Sequence, residues 1–211
     1  QRIAKSKKRK LKLNKLPKLY NICLRIMLDQ WLTYGEKIPN PYGLFRVIDI
    51  TEKGKPDQDV MAFLGVELLN SYRNLAELKF RYENSNKIEL LDYIKNYVFP
   101  SEKDQIVRNV KQGDFAEFLA SLIVSHFQNL TVPLHKMRWK FNKNRSVFCT
   151  DMIAHNPGEK ISDLYYYEIK SRQNISKKET VNDDSNFVTI HAHNSLLKDE
   201  QAPNEAIADF L

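Results

Sequence analysis

Apolar residues recur at helical spacing in four stretches of the chain. Spacings of three and four residues put apolar side chains on one face of a helix, so each stretch predicts an amphipathic helix. Between the third and fourth stretches, Ser101 and Asp104 resemble a capping box and predict a short polar helix that ends at Lys111. The four stretches are residues 18–33, 58–81, 87–98 and 113–127.

Strands are predicted where apolar and polar residues alternate, because successive side chains of a strand point to opposite faces. Two of these strands lie close together in the chain and are joined by the turn-rich segment 156–160. A closing helix is predicted from Ser195 to Leu211. The predicted strands are residues 42–51, 132–141, 146–154, 164–170 and 186–193.

Helices dominate the first hundred residues, and strands mix with helices after them. This order predicts an α/β protein in which an α-rich amino-terminal part precedes an α/β/α core with a central mixed sheet. We expect a basic arm at residues 1–20, an α-rich region at 21–100 and the core at 101–211. The chain starts without Met and its last apolar residues lack a polar tail, so a fragment of a longer protein is expected.

The positive charge of the chain is concentrated in the basic arm. Residues 1–20 hold nine basic residues and no acidic one, whereas the whole chain carries +7, so residues 21–211 carry −2. The arm is either a solubilising tail or a segment that contacts the phosphates of a polyanion. In the second interpretation the contacts come from Lys7, Lys8, Arg9 and Lys10.

The sequence shows no sign of a membrane or secretory protein. No apolar run approaches the length of a membrane span, and the lysine-rich amino end lacks the apolar region of a secretory signal. A cytoplasmic location is therefore expected. Cys23 and Cys149 lie inside apolar runs without metal-ligand spacing, which favours buried, reduced thiols.

Candidate chemistry lies between Asp151 and Lys170. Residues two apart in a strand point the same way, so Glu168 and Lys170 share a face. With Asp151 on the neighbouring strand, they can converge on one point, as a phosphodiesterase that uses a hard cation such as Mg²⁺ requires. Glu117 lies on the polar face of the fourth helical stretch, and it is either an exposed helix residue or a further member of this site.

Two other sets of residues each allow a structural and a functional interpretation. Lys136, Arg138 and Lys140 form one face of the predicted strand 132–141, which is either a solvated edge or a row of cations that follows a nucleic-acid backbone. His191 and His193 share a face of the last predicted strand. A His-x-His pair can bind zinc, but no third ligand has suitable local spacing, which favours a structural role.

The pattern Asp151 followed by Glu168-Ile-Lys170 resembles the PD-(D/E)xK nucleases, which have the restriction-endonuclease-like fold. Thr150-Asp151 stands where that family often has Pro-Asp, and Glu168 follows Asp151 by 17 residues. A narrower resemblance covers about residues 114–211. The run Gly113-Asp-Phe-Ala-Glu117, the Asp151 strand, Tyr-Glu-Ile-Lys170 and a closing helix rich in Ala-Ile-Ala are similar to the HamA-type nuclease subunits of Hachiman and related anti-phage systems.

The resemblance implies a DNA endonuclease or nickase that depends on Mg²⁺, with Mn²⁺ as an alternative ion, and that is controlled by a superfamily 2 helicase partner. Asp151 and Glu168 would bind the metal, with the Ile169 carbonyl as an extra ligand. Lys170 would orient or deprotonate the attacking water and stabilise the transition state. Glu117 would help to position the metal or its water.

The resemblance leaves two other functions open. The basic arm and the basic strand also fit a non-catalytic nucleic-acid-binding or assembly subunit, whose DNA binding would depend on salt but not on Mg²⁺. A toxin-like RNase on the same fold is a third alternative. For the nuclease, we expect Mg²⁺ to stabilise the protein, because carboxylates buried among Tyr165, Tyr166 and Tyr167 are costly without a cation.

Overall fold

The structure, a computed structural model, describes most of the chain between residues 26 and 201. Contacts within the chain divide it into two compact units, Gln1–Val60 and Met61–Leu211. The predicted boundaries near residues 20 and 100 stay predictions. The basic arm, both cysteines and the end of the predicted closing helix lie outside the described residues. The described ranges are 26–37, 46–84, 89–101, 104–147, 150–158, 160–172 and 188–201.

The first unit contains a β-hairpin. Strand β1 (Leu32–Lys37) pairs antiparallel with β2 (Val47–Glu52), and the hydroxyls of Thr33 and Thr51 lie 2.5 Å apart across the pair. Residues 26–31 are helical as predicted, and β2 falls in the predicted strand 42–51, ending one residue beyond it. The extension of that helix to Thr33 was wrong, because the chain passes directly into β1, where a β-branched residue and an aromatic one favour a strand.

Two helices replace the predicted helix 58–81. Helix α1 (Gln58–Tyr72) ends nine residues earlier than predicted, and α2 (Leu75–Asn84) follows it after a break. The side-chain oxygen of Asn74 accepts hydrogen bonds from the backbone N–H groups of Ala76 and Glu77, at 2.9 and 3.3 Å. The break arises because Asn74 caps a new helix with its side chain instead of continuing the old one.

A third helical element lies before the central helix of the second unit. Helix α3 (Leu90–Tyr93) continues into a π-helical turn, Ile94–Val98. The two segments together confirm the predicted helix 87–98 over its described part. Phe99 follows in extended conformation, and its ring packs edge-on against Tyr72 with the ring centres 5.2 Å apart.

Helix α4 (Gln105–Phe127) is 23 residues long and merges two predicted helices. Its cap is Asp104, whose carboxylate accepts a 2.8 Å hydrogen bond from the N–H of Val107. The prediction of Ser101 as the cap, and of a helix end at Lys111, was therefore wrong. The helix continues through Gly113, because a single glycine costs a helix only about 1 kcal/mol.

A short hairpin follows α4. Strand β3 (Met152–His155) pairs antiparallel with β4 (Leu164–Tyr167), and these are shorter versions of two predicted strands. Gly158 in the connecting turn has a φ of +130°, which only glycine adopts without strain. Met152 and Ala154 pack with Val124 of α4 in a buried cluster. This packing holds the amino end of β3, and thus Asp151 just before it, close to α4.

Two predicted strands are wrong. Residues 132–141 form loop and a 3₁₀-helix, Lys136–Trp139, in part because Pro133 has no N–H to donate to a sheet. Residues 186–193 were predicted as a strand, but α5 (Val188–Gln201) begins there. In a helix, positions two apart point about 200° apart, so His191 and His193 do not share a face.

The structure confirms a mixed α/β architecture. Among the described strands there are two separate two-stranded antiparallel sheets, so the central mixed sheet and the restriction-endonuclease-like core stay predictions. None of the helices in the described part of the chain is long and apolar enough to cross a membrane.

Candidate functional site

Helix α4 turns its polar face inward. Asp114, Glu117 and Ser121 recur at spacings of three and four residues, so they lie on one side of the helix. Asp114 and Ser121 are buried, and the side chain of Glu117 is only 15% exposed. The prediction of Glu117 on a polar helix face is confirmed, and its alternative as an ordinary exposed residue is wrong.

Lys136 connects Glu117 to Asp151. Its ammonium lies 2.7 Å from Asp151 Oδ1 and 3.2 Å from Glu117 Oε1. The 3₁₀-helix that begins at Lys136 directs this side chain inward, and only 9% of it is exposed. Lys136 is therefore the counter-ion of both carboxylates.

The backbone of the Glu168-Ile-Lys170 segment lies next to Asp151. The N–H of Ile169 donates a 2.8 Å hydrogen bond to Asp151 Oδ2. In the hairpin, Met152 is opposite Tyr167, and continuing this register by one residue places Asp151 opposite Glu168. Side chains opposite each other in an antiparallel pair lie on the same face of the sheet.

Glu168 and Lys170 form a second ion pair at the end of β4. The Lys170 ammonium contacts Glu168 Oε1, as expected for residues two apart in extended chain. The Glu168 side chain is 8% exposed, whereas that of Lys170 is 35% exposed. The pair therefore combines a buried carboxylate with a cation that reaches solvent.

Burial dominates the electrostatics of Glu117. The pKa of Glu117 is raised to about 7, chiefly by burial; Lys136 opposes the rise, and the charge of Asp151 adds to it. Burial also disfavours the charged form of Lys136, but the two carboxylates outweigh it, so the Lys136 pKa is raised overall. Glu117 Oε2 is buried and has no hydrogen-bond partner among the residues that the structure describes. This oxygen is an acceptor without a donor, which is uncommon in a protein interior.

A second buried cluster lies one helical turn before Glu117. Asp114 Oδ2 accepts hydrogen bonds from the Tyr72 hydroxyl and the Lys140 ammonium, and that ammonium lies 5.7 Å from the centre of the Tyr72 ring. Burial raises the pKa of Asp114 although Lys140 and Tyr72 oppose the rise. Burial, and then the Asp114 charge, raise the pKa of Tyr72. The cluster joins α1, α4 and the segment after the 3₁₀-helix.

The predicted site residues thus fall into two connected groups. Glu117 and Asp151 share Lys136, while Glu168 and Lys170 pair with each other on the far side of the Ile169 amide. The predicted burial among tyrosines was wrong, because Tyr165 and Tyr166 are each 43% exposed. The carboxylates are instead paired with lysines, Glu117 and Asp151 with Lys136 and Glu168 with Lys170.

Lys136, Arg138 and Lys140 do not form the predicted basic face. Lys136 and Lys140 are drawn into the two buried carboxylate clusters, and Arg138 donates to the backbone carbonyl of Asn70. Their contact with nucleic acid stays a prediction. Sequence reasoning missed the role of Lys136, for which no local pattern gives a signal. It also missed Asp114, whose signal was its place one turn before Glu117 on the same polar face.

The carboxylate oxygens of the site suit a hard cation, but they are not arranged to bind one in this structure. In the described part of the chain, no group of three or more His, Cys, Asp or Glu side chains is placed to hold a metal ion. Both oxygens of Asp151 already accept hydrogen bonds, from Lys136 and from the Ile169 N–H. Glu117 Oε2 is the oxygen that is buried and open to a ligand.

The fold and the site define an α/β protein with buried carboxylate and lysine pairs clustered beside a long central helix. A comparison with family models matches residues 25–202 to the HamA family, and the chain belongs to that family. HamA is a component of the Hachiman anti-phage defence system. No curated protein and no solved structure matches the chain.

Proposed function

We propose that this protein is the nuclease subunit of its defence system and hydrolyses phosphodiester bonds of DNA with a divalent cation. The observation that carries the proposal is the arrangement around the Ile169 amide. The Ile169 amide joins Asp151 to the Glu168-x-Lys170 segment by a hydrogen bond, and Lys136 joins Asp151 to Glu117 by ion pairs. Such a set of acids with a lysine is what metal-assisted phosphodiester hydrolysis uses.

Each side chain has a role that follows from its surroundings. Asp151 and Glu168 would hold Mg²⁺ or Mn²⁺, with the Ile169 carbonyl as an added oxygen, and Glu117 would bind the metal or its water through Oε2. When bound, the ion would supply a Lewis acid for the phosphate oxygens. Lys170, whose ammonium is the more exposed one, would orient the attacking water and offset negative charge that develops in the transition state.

Lys136 holds the carboxylates together in the present arrangement. The two buried acids repel each other, and the ammonium between them offsets part of that repulsion. Metal binding at Asp151 therefore requires Lys136 to rotate or to share the carboxylate with the ion. We propose that the DNA substrate, and a helicase partner within the defence system, favour that rearrangement.

A non-catalytic nucleic-acid-binding subunit is the second candidate. It is favoured by the lack of a three-residue metal cluster among the described residues and by the complete pairing of Asp151. On this alternative, the buried ion pairs only stabilise the fold.

A cleavage assay separates the two candidates. Plasmid DNA is incubated with the purified protein and Mg²⁺, with and without its proposed helicase partner, and compared with total RNA as substrate. We expect nicking or cleavage of DNA that is lost with a chelator and in the variants Asp151→Asn and Lys170→Met. Lys79→Met, which changes an exposed lysine on α2, is the matched control.

A second measurement does not need turnover. Mg²⁺ should raise the melting temperature of the wild-type protein and of Lys79→Met, and should have a much smaller effect on Asp151→Asn. Cleavage that persists in Asp151→Asn and Lys170→Met would refute the nuclease assignment. Salt-sensitive DNA binding with no Mg²⁺ effect on either stability or cleavage would favour the non-catalytic subunit.

A further inference from the structure

An arginine-lined pocket lies on the second unit, and its lining does not include Glu117, Asp151, Glu168 or Lys170. It has a volume of about 330 Å³ and lies where α2, the α1–α2 turn and the 3₁₀-helix meet. Its basic side chains come from two segments that are distant in sequence, residues 73–81 and 138–140, and Glu77 and Tyr93 also line it. The basic lining residues are Arg73, Arg81, Arg138 and Lys140.

Two of the four cations are already neutralised. Arg81 donates two hydrogen bonds to Glu77 Oε1, and Lys140 contacts Asp114. Arg73 and Arg138, in contrast, donate to backbone carbonyls, of Tyr72 and Asn70 respectively. A carbonyl carries no net charge, and among the described residues neither guanidinium forms an ion pair with a carboxylate, so neither positive charge is offset there.

The Arg138 guanidinium is fixed in place. Its Nε and one terminal nitrogen both donate to the Asn70 carbonyl, at 3.2 and 2.8 Å. The same terminal nitrogen also donates to Asn70 Oδ1 at 3.4 Å. A guanidinium has five N–H groups, so two of them on Arg138 have no partner among the described residues and can contact a ligand. Burial, and then the charge of Arg138, lower the pKa of His135 to about 4. His135 is therefore neutral at neutral pH and adds no charge.

The pocket and the carboxylate site share a wall. Lys140 lines the pocket and contacts Asp114, and Asp114 lies three residues before Glu117 on α4. Three residues of helix correspond to about 4.5 Å along the axis. A polymer with repeated negative charges could therefore occupy the pocket with one phosphate while a neighbouring part of the same strand lies near Glu117.

We infer that this pocket binds the phosphodiester backbone of a nucleic acid, with Arg73 and Arg138 as its phosphate contacts. The fork geometry of arginine suits bidentate contact with phosphate oxygens, and two guanidiniums that line one pocket favour an anion there. Tyr93 adds an aromatic wall, stacked on Tyr97 at 5.7 Å between ring centres, against which a base or sugar can pack. The pocket would be the substrate-binding surface of the proposed nuclease. The choice of nucleic acid as its ligand rests on that proposed function.

The test measures binding in a chelator, so that no cleavage takes place. A short fluorescein-labelled DNA duplex is titrated with full-length protein at several salt concentrations. The double variant Arg73→Ala/Arg138→Ala is compared with Lys79→Ala/Arg108→Ala, which removes two exposed charges from α2 and α4 outside the pocket lining. Both variants keep the basic arm, so its contribution is the same.

We expect the pocket variant to bind DNA about tenfold more weakly and to lose roughly 1.8 from the slope of log affinity against log salt, since each lost phosphate contact removes about 0.9. The control should keep the wild-type slope. The charge-preserving variant Arg73→Lys/Arg138→Lys should recover the slope and part of the affinity. Melting temperatures of all variants show whether each is folded.

Equal affinity and slope in the pocket variant and its control would overturn the inference. So would a loss of binding in the control as large as that in the pocket variant, because it would show a general charge effect. The result of this binding test can be distinguished from the result of the cleavage assay for the proposed nuclease. A protein that never cleaves DNA but loses binding only in the pocket variant would refute the nuclease and retain the pocket.

Discussion

The ammonium of Lys136 lies 2.7 Å from the carboxylate of Asp151, although fifteen residues separate them in the chain. The same ammonium lies 3.2 Å from Glu117, so one lysine offsets two buried acids that come from a helix and from the edge of a hairpin. The contact offsets part of the negative charge of the two acids before any ligand binds. It also gives the first prediction.

Replacing Lys136 by Met should destabilise the protein strongly. The change leaves Glu117 and Asp151 buried without their counter-ion, and loss of one partner of a buried pair costs on the order of 3 kcal/mol. The free energy of unfolding from urea titration in a chelator, at about pH 8, measures the loss. Lys79→Met removes an exposed lysine, 74% accessible, and should cost under about 0.5 kcal/mol. A loss in Lys136→Met no greater than in this control would contradict the counter-ion role.

Glu117 should give the protein a specific pH dependence. In the fold its pKa is about 7, whereas the ordinary value is 4.5, so between these values the folded state binds more protons than the unfolded state. The Glu117 contribution to stability therefore falls as pH rises from about 4.5 to about 7 and is constant above that.

The variant Glu117→Gln isolates this contribution. The difference in unfolding free energy between wild type and variant, measured in a chelator across the same pH range, should shift against the wild type as pH rises and level off above pH 7. Titration of other groups cancels in the difference. A difference that stays flat across the range would show that Glu117 is ionised throughout.

Tyr72→Phe tests the buried cluster around Asp114. The change removes one hydrogen bond to a buried carboxylate and nothing else, and such a bond contributes about 1.5–3 kcal/mol. Tyr97→Phe is the matched control, because Tyr97 is 56% exposed and keeps its stacking when the hydroxyl is removed. Chemical denaturation of both variants measures the difference. Equal stability of the two would mean that the Tyr72 hydroxyl does not support Asp114.

The start of α4 can be tested with two neighbouring substitutions. Asp104→Ala should lose about 1 kcal/mol, because its carboxylate caps the helix by accepting from the Val107 N–H. Ser101→Ala should have almost no effect, since Ser101 contributes its backbone N–H, which donates to Asn144 Oδ1 at 2.8 Å. Thermal unfolding of the pair measures both. The reverse order of effects would restore the capping box that the sequence suggested.

Local patterns predicted the parts of the site that depend on local structure. Helical periodicity placed Glu117 on a polar helix face, and strand periodicity placed Glu168 and Lys170 on one side of an extended segment. Both predictions are confirmed, because spacings of 3.6 and 2 residues are set by backbone geometry and act over a few residues. The prediction of a strand at residues 132–141 was wrong, because an alternation of apolar and basic residues also occurs in a loop. The cations of this loop pair with acids that are distant in the chain.

The sequence by itself determined the mixed α/β class and most of the helices. It also determined the acids and one of the lysines of the candidate site. Only the tertiary structure decided the partners of the remaining cations. Lys136 and Lys140 lie in buried carboxylate clusters, and Arg73 and Arg138 meet at one pocket, because packing brings together elements that are distant in the chain. Such contacts depend on which charges are desolvated together, and desolvation is a property of the folded interior that no local spacing encodes.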